Sequence, residues 1–186
     1  MGNAIQRQER ENSLDPRTGL PSGRLIEDQL RRIIRTPSWA LLDCRLLSFD
    51  RFRDVYGFIV GDEVLRFTSM LIGEVIDELG TSNDFIGHPG GDNFIVFTTA
   101  DRAAKVRDRL KARFAEEVLS HYNFMDREQG YIVARDNQGQ EVKAPLMRLA
   151  VGLVTSETRQ FADIREITEL AAEARRQDAA TETVSL

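Results

Sequence analysis

The turn Gly90-Gly91-Asp92-Asn93-Phe94 lies between the apolar runs Phe85-Ile86-Gly87 and Ile95-Val96-Phe97, and it constrains the fold more than any other stretch. Two strand-length apolar runs joined by a glycine-rich turn read as a β-hairpin. The consecutive glycines allow positive φ and a close backbone approach to a ligand. A carboxylate placed directly after them, Asp92, can face a metal or phosphate group. Asn93 breaks that pattern, because an amide neither takes up a proton nor coordinates a cation as a carboxylate does. The tip therefore reads as a catalytic hairpin whose chemistry has been removed.

A hairpin needs further layers to cover it, and 186 residues suffice for one domain with a real core. The cluster Asp15-Pro16-Arg17-Thr18-Gly19-Leu20-Pro21 is a dense turn signal. Ser22 then caps a predicted helix carrying Leu25, Ile26, Leu30, Ile33 and Ile34, which ends near Thr36-Pro37. Trp39 to Leu47 reads as a largely buried strand around Asp43-Cys44-Arg45, and Gly57 and Gly61 punctuate a short helix before a longer one. The longer helix aligns Val64, Leu65, Thr68, Leu71, Ile72, Val75 and Leu79. Val106, Leu110, Phe114 and Val118 recur every fourth residue in the helix after the glycine hairpin. Tyr131-Ile132-Val133 and Glu141-Val142 form a peripheral hairpin, Leu146 to Val154 a further strand, and Ile167, Leu170, Ala171 and Ala174 line a last helix. This order predicts an α/β (α+β) sandwich with a mostly antiparallel central sheet flanked by helices. Residues 1–13 are read as a tail or linker, 14–177 as the domain and 178–186 as a polar, frayed tail. The charged stretch Gln6 to Ser13 fits either a helix end or a disordered tail.

Charge and cysteine usage narrow the partners. Twenty-five Lys+Arg against 30 Asp+Glu give a formal charge of −5, which disfavours nucleic acid and anionic membrane surfaces. A small molecule or a protein is the expected partner. No apolar run approaches a membrane span and the first twelve residues are almost wholly polar, so a cytoplasmic location without membrane insertion is expected. The lone Cys44 excludes an internal disulfide, and His88 and His121 are too few for a Cys/His zinc site. Cys44 is expected to be a small buried side chain.

Three stretches in this order resemble the GGDEF domain family of diguanylate cyclases: Asp15 to Pro21, Phe49 through Gly57 to Gly61-Asp62, and Gly90 to Phe94. The resemblance covers roughly Asp15 to Arg176. It implies a palm-like core similar to that of nucleotide cyclases. Active members pair two domains, each holding one GTP, and make cyclic di-GMP. Residue by residue, the resemblance carries over unevenly. Counted back from Phe49, the metal-binding aspartate falls at Arg45 and its companion at Leu47. Like charges about 4 Å apart at an effective dielectric near 20 repel by roughly 4 kcal/mol per unit pair, and Arg45 against Mg²⁺ by about twice that. Asp92 matches the other metal-binding acid. Asn93 stands at the glutamate that promotes deprotonation of the attacking hydroxyl, a role typically contributing about 10²–10⁴ in rate. No catalytic residue is therefore expected. Asp62 matches the guanine-reading aspartate and Arg53 replaces its asparagine partner, which leaves Asp62, Arg53, Gly90 and Gly91 as candidate nucleotide contacts. The C-terminal phosphate-binding lysine falls near Ala179, with Arg175 and Arg176 as conceivable substitutes. The product-inhibition motif reads Thr81-Ser82-Asn83-Asp84, so no product-inhibition site is expected.

Each of these residues also has a structural reading. Asp62 suits the N-cap of the longer helix, Asp92 can pair with Arg45 across adjacent strands, and Gly90 and Gly91 serve the turn alone. His88 reads as a half-exposed strand residue, Arg51, Arg53 and Asp54 as a solvated helix face, and Phe58 as a core residue. The resulting expectation is a degenerate GGDEF domain without cyclase activity, a regulatory or protein-interaction module with GTP as a candidate ligand. No cofactor is expected beyond Mg²⁺ accompanying bound GTP. One alternative is an active cyclase that recruits Asp43 or Asp50 for the metal. The other is a structural dimerisation domain, and a homodimer or another signalling protein is the corresponding partner.

Overall fold

The computed structural model describes residues 13–181. In chain order the elements are α1 (Arg24–Ile33), β1 (Ala40–Leu47), α2 (Phe49–Tyr56), α3 (Phe58–Leu79), β2 (Phe85–Gly90), β3 (Asn93–Thr98) and α4 (Ala100–Glu117). A 3₁₀ turn (Val118–His121) then leads to α5 (Phe124–Gln129), β4 (Tyr131–Arg135), β5 (Glu141–Pro145), β6 (Arg148–Thr155) and α6 (Ile164–Thr181). The central sheet has the order β2-β3-β1-β6, and every pairing in it is antiparallel. β4 and β5 form a separate two-stranded hairpin. The mixed architecture with a central antiparallel sheet and flanking helices is the one predicted. No described helix is long and apolar enough to cross a membrane.

The period of two along β1 explains the layering. Ala40, Leu42, Cys44 and Leu46 share one core with Phe94, Val96 and the apolar stripes of α3 and α4. Leu41 faces the other way and packs with Phe97, Val154, Trp39, Leu30 of α1 and Ile167 and Ala171 of α6. Cys44 is fully buried, and burial pushes its thiol pKa up. Asp43 lies on the α6 face, paired in the ladder with Ile95 on one side and Gly152 on the other. A β-carbon at Gly152 would run into the Ala171 carbonyl and the Arg175 backbone, so the glycine lets α6 seat directly on the sheet.

Several local expectations change. The cap of α1 is Gly23, at φ 48, not Ser22, because the turn out of Pro21 needs a backbone conformation that glycine supplies. Gly57, at φ 93, separates α2 from α3, so α3 starts at Phe58 and Asp62 falls inside it instead of capping it. Phe58 is 72% exposed and lies beneath the Arg53 guanidinium, 5.0 Å from its ring centroid, rather than in the core. β6 begins at Arg148 rather than Leu146. The last helix continues through Thr181, beyond the expected fray at Asp178, because the Asp178 carboxylate accepts from the Val151 amide of edge strand β6 at 2.9 Å and from Lys111 at 2.7 Å. The stretch Gln6 to Asn12 lies outside the described residues.

Candidate functional site

The hairpin tip is built as the glycines require. Gly90 and Gly91 take φ of 151 and 55, and no atom lies within 4 Å of the position a β-carbon would occupy on either. The backbone there is open to a ligand. Asp92 is tied to β1 twice: its carbonyl accepts from the Leu46 amide at 3.0 Å, and its carboxylate accepts from Arg45 Nε at 3.3 Å. The Arg45 side chain is 47% exposed and that of Asp92 18%. The cross-strand ion pair therefore stands where the resemblance places a metal bridge.

Asn93 points into the protein. Its Nδ2 donates to Asp43 Oδ1 at 2.7 Å and to the Cys44 carbonyl at 2.9 Å, while its Oδ1 accepts from Arg175 Nη1 at 3.0 Å. The same Nη1 donates to Asp43 Oδ1 at 2.9 Å. An amide, a carboxylate and a guanidinium thus close a ring with Asp43 and Arg175 almost wholly buried. Each buried charge meets an opposite charge and a hydrogen bond, as burial demands. The ladder pairs Arg45 with Asn93, which fixes the register and keeps Asp43 two residues inside the tip. Arg175 is therefore an internal partner of Asp43 rather than a phosphate contact, and Arg176 pairs with Glu173 at 2.8 Å.

Mg²⁺ does not fit this arrangement. The position opposite Asp92 carries a cation, Asp43 is already neutralised by Arg175, and among the described residues no three His, Cys, Asp or Glu side chains gather to hold a metal ion.

The proposed base-reading residues sit on neighbouring helices. Arg53 of α2 lies against Gly61, where a β-carbon would come within 3.2 Å of its Cγ. Its Nη2 donates to Asp50 at 3.3 Å, and its buried Nε has no hydrogen-bond partner among the described residues. Arg53 is thus half-buried rather than a solvated helix-face residue. Asp62 is half-buried on α3, and its carboxylate makes no hydrogen bond or ion pair among the described residues. No such contact joins Arg53 or Asp62 to the Arg45–Asp92 pair. Asp84 accepts from the Thr81 amide at 2.8 Å and from Thr98 Oγ1 at 2.8 Å, so its carboxylate serves the turn into β2.

His88 differs from its sequence reading most sharply. It is fully buried, stacked on Phe94 with ring centroids 4.3 Å apart, and burial holds its pKa below the ordinary imidazole value. A register shift between Gly87 and Gly90 turns the strand at this point, which carries the ring inward instead of along the edge. Sequence reasoning also missed Arg175 as a partner of the hairpin. The available signal was Asp43 itself, a carboxylate inside an apolar strand that cannot be buried without a cation.

Sheet, hairpin and helix placement together define an α/β domain of the nucleotide-cyclase type, with an antiparallel central sheet and flanking helices. The family described as "Diguanylate cyclase, GGDEF domain" matches residues 12–178, and the chain belongs to the GGDEF domain family. Over 92 residues it is 29% identical to the diguanylate cyclase DgcZ of Escherichia coli, covering 48% of this chain and 30% of that protein. The chain thus matches under a third of that relative's length. Among solved structures, the coiled coil and GGDEF domain of DgcB from Caulobacter crescentus in complex with c-di-GMP aligns with a TM-score of 0.68 at 18% identity, over 96% of this chain and 86% of that one. Diguanylate cyclase SiaD in complex with its activator SiaC from Pseudomonas aeruginosa aligns with a TM-score of 0.66 at 18% identity, over 97% and 63%. These structural likenesses concern the fold.

Proposed function

We propose that this chain is a GGDEF domain without diguanylate cyclase activity, acting in the cytoplasm as a regulatory or protein-interaction module of cyclic di-GMP signalling, with GTP as a ligand. The observation that carries this reading is the paired loss at the tip. Arg45 faces Asp92 where a metal would bridge two carboxylates, and the Asn93 amide is committed to Asp43 and Arg175. A site without a proton acceptor or a metal cannot activate a hydroxyl for phosphoryl transfer. The Asp62 carboxylate, without a partner among the described residues, supports a remaining guanine contact, since a carboxylate can accept from the N1–H and exocyclic amine of guanine. Exposed Phe58, Ile59, Phe124 and Met125 support contact with a protein partner, and a relative of the same fold is described in complex with an activator protein.

The test is incubation of the purified chain with GTP and Mg²⁺, with chromatography for cyclic di-GMP and calorimetry for binding. No product, together with saturable GTP binding that Asp62→Ala abolishes, is the expected result. Cyclic di-GMP formation by the unmodified chain would sink the reading, and absence of any GTP binding would remove its ligand.

A further inference from the structure

We propose that His88 is a proton-operated clasp between the Asp15–Pro21 turn and the glycine tip, in which Asp15 is shared between two cationic partners. The turn and the tip are far apart in sequence, yet they meet on this one ring. His88 Nε2 lies 2.8 Å from the Gly91 carbonyl, its Nδ1 lies 2.9 Å from Thr18 Oγ1 and 3.4 Å from Asp15 Oδ1, and its amide donates to the Pro21 carbonyl at 2.8 Å. His88 and Asp15 are both buried, so neither can turn to water for a substitute partner.

The tautomer follows from these neighbours. A carbonyl oxygen only accepts, so Nε2 carries the hydrogen and donates to Gly91. In the neutral ring Nδ1 is then an acceptor, and the Thr18 hydroxyl donates to it. Asp15 meanwhile accepts from the Arg17 amide at 2.8 Å, from Arg17 Nη2 at 2.9 Å and from the Thr18 amide at 3.2 Å. Adding a proton at Nδ1 reverses this side of the ring. The Thr18 hydroxyl can no longer donate there, and the new N–H finds Thr18 Oγ1 as an acceptor and the Asp15 carboxylate as its counter-charge. Asp15 is thereby drawn from Arg17 toward His88. The charged groups facing the ring are Asp15, Arg17 and Asp92: the two carboxylates favour the protonated form and Arg17 opposes it. Burial opposes it further, so the neutral clasp is the resting state and acidification operates it. Nε2–H donates to Gly91 in both states, and protonation at Nδ1 makes it a charge-assisted and stronger donor, which carries the change to the tip.

The test is NMR of the His88 ring nitrogens and of the Gly91 and Thr18 amides from pH 8 to pH 5, with His121→Gln identifying the second imidazole. The expected result is the Nε2–H tautomer at pH 8, followed by one titration in which the Gly91 and Thr18 amide shifts move with the ring. Asp15→Asn is expected to lower the midpoint, because the counter-charge is gone. Thr18→Val is expected to raise it, because the neutral ring loses its donor. Packing alone would not displace the midpoint in opposite directions. A resting Nδ1–H tautomer, amides that ignore the ring, or acid unfolding with His88 still neutral would each overturn the proposal using the unmodified chain, whatever the variants do. Displacement of the midpoint in the same direction by both variants would overturn it as well.

Discussion

Replacing Arg175 with methionine removes the cation from the ring that locks Asn93. In the structure Arg175 Nη1 serves both Asp43 Oδ1, at 2.9 Å, and Asn93 Oδ1, at 3.0 Å, with the Arg175 and Asp43 side chains 11% and 9% exposed. After the change Asp43 keeps, among the described residues, only the Asn93 amide, at 2.7 Å, as a side-chain donor. Removing one partner of a buried pair typically costs about 3–5 kcal/mol, because the other charge stays behind uncompensated. At about 2–4 °C per kcal/mol for a domain of this size, the melting temperature should fall by roughly 6–20 °C. The double variant Asp43→Leu/Arg175→Met separates a charge penalty from lost packing. With both charges gone, Asn93 Nδ2 still donates to the Cys44 carbonyl, and the remaining deficit is Asn93 Oδ1 without its Arg175 donor, about 1–3 kcal/mol. The double variant should therefore be more stable than Arg175→Met alone, as read by urea unfolding midpoints at unchanged m-value. A single variant within 1 kcal/mol of the parent, or single-variant losses that simply add in the double, would refute the argument that the three side chains form one coupled unit.

Gly152→Ala should cost about 3 kcal/mol, at the upper end of overpacking losses, because the new methyl meets backbone that cannot step aside; thermal melting checks it. Burial holds the His88 and His121 pKa values below the ordinary 6.5, so between those depressed values and 6.5 the unfolded chain binds more protons than the folded one. Stability is then full above pH 6.5 and lost as pH falls through the folded values, by at most about 1.4 kcal/mol per pH unit for each group. Urea midpoints from pH 8 to pH 5 should show this slope, and His88→Gln should lessen it. The melting temperature in the absence of nucleotide should be the same in millimolar Mg²⁺ as in a chelator, since Arg45 opposes a cation beside Asp92; a rise of several degrees with Mg²⁺ would contradict the site described above.

What the sequence made legible was whatever is encoded locally. The apolar stripe Val106, Leu110, Phe114 and the alternation along β1 are periodic signals, and the structure buries those residues as the periods require. The glycine turn announced its own hairpin, and the GGDEF resemblance, with its palm-like fold, rested on stretches whose order is preserved. Polar roles that depend on a distant element were not legible. Asp62 looked like a cap because it precedes a long apolar stripe, yet Gly57 starts the helix four residues before Gly61. Phe58 looked like core because it is aromatic, yet Arg53 claims its face. Arg175 and Asp43 meet only because Gly152 lets α6 sit close to the sheet, which no window of sequence can reveal.

These placements give the substitutions at the tip a common physical sense. In the pattern the chain resembles, carboxylates at positions 45, 92 and 93 concentrate negative charge that a divalent cation must offset. Here position 45 is cationic, position 93 is neutral, and the nearby Asp43 is matched by Arg175, so the four charged groups Arg45, Asp92, Asp43 and Arg175 sum to zero. A tip that is already neutral gains little by taking in a metal, and a metal entering it would first have to displace a guanidinium. Changing Arg45 alone would expose Asp92 without releasing Asn93, and changing Asn93 alone would set a carboxylate beside Asp43 with one arginine between them. The two replacements support one another, and either reverted alone leaves an uncompensated charge at the tip.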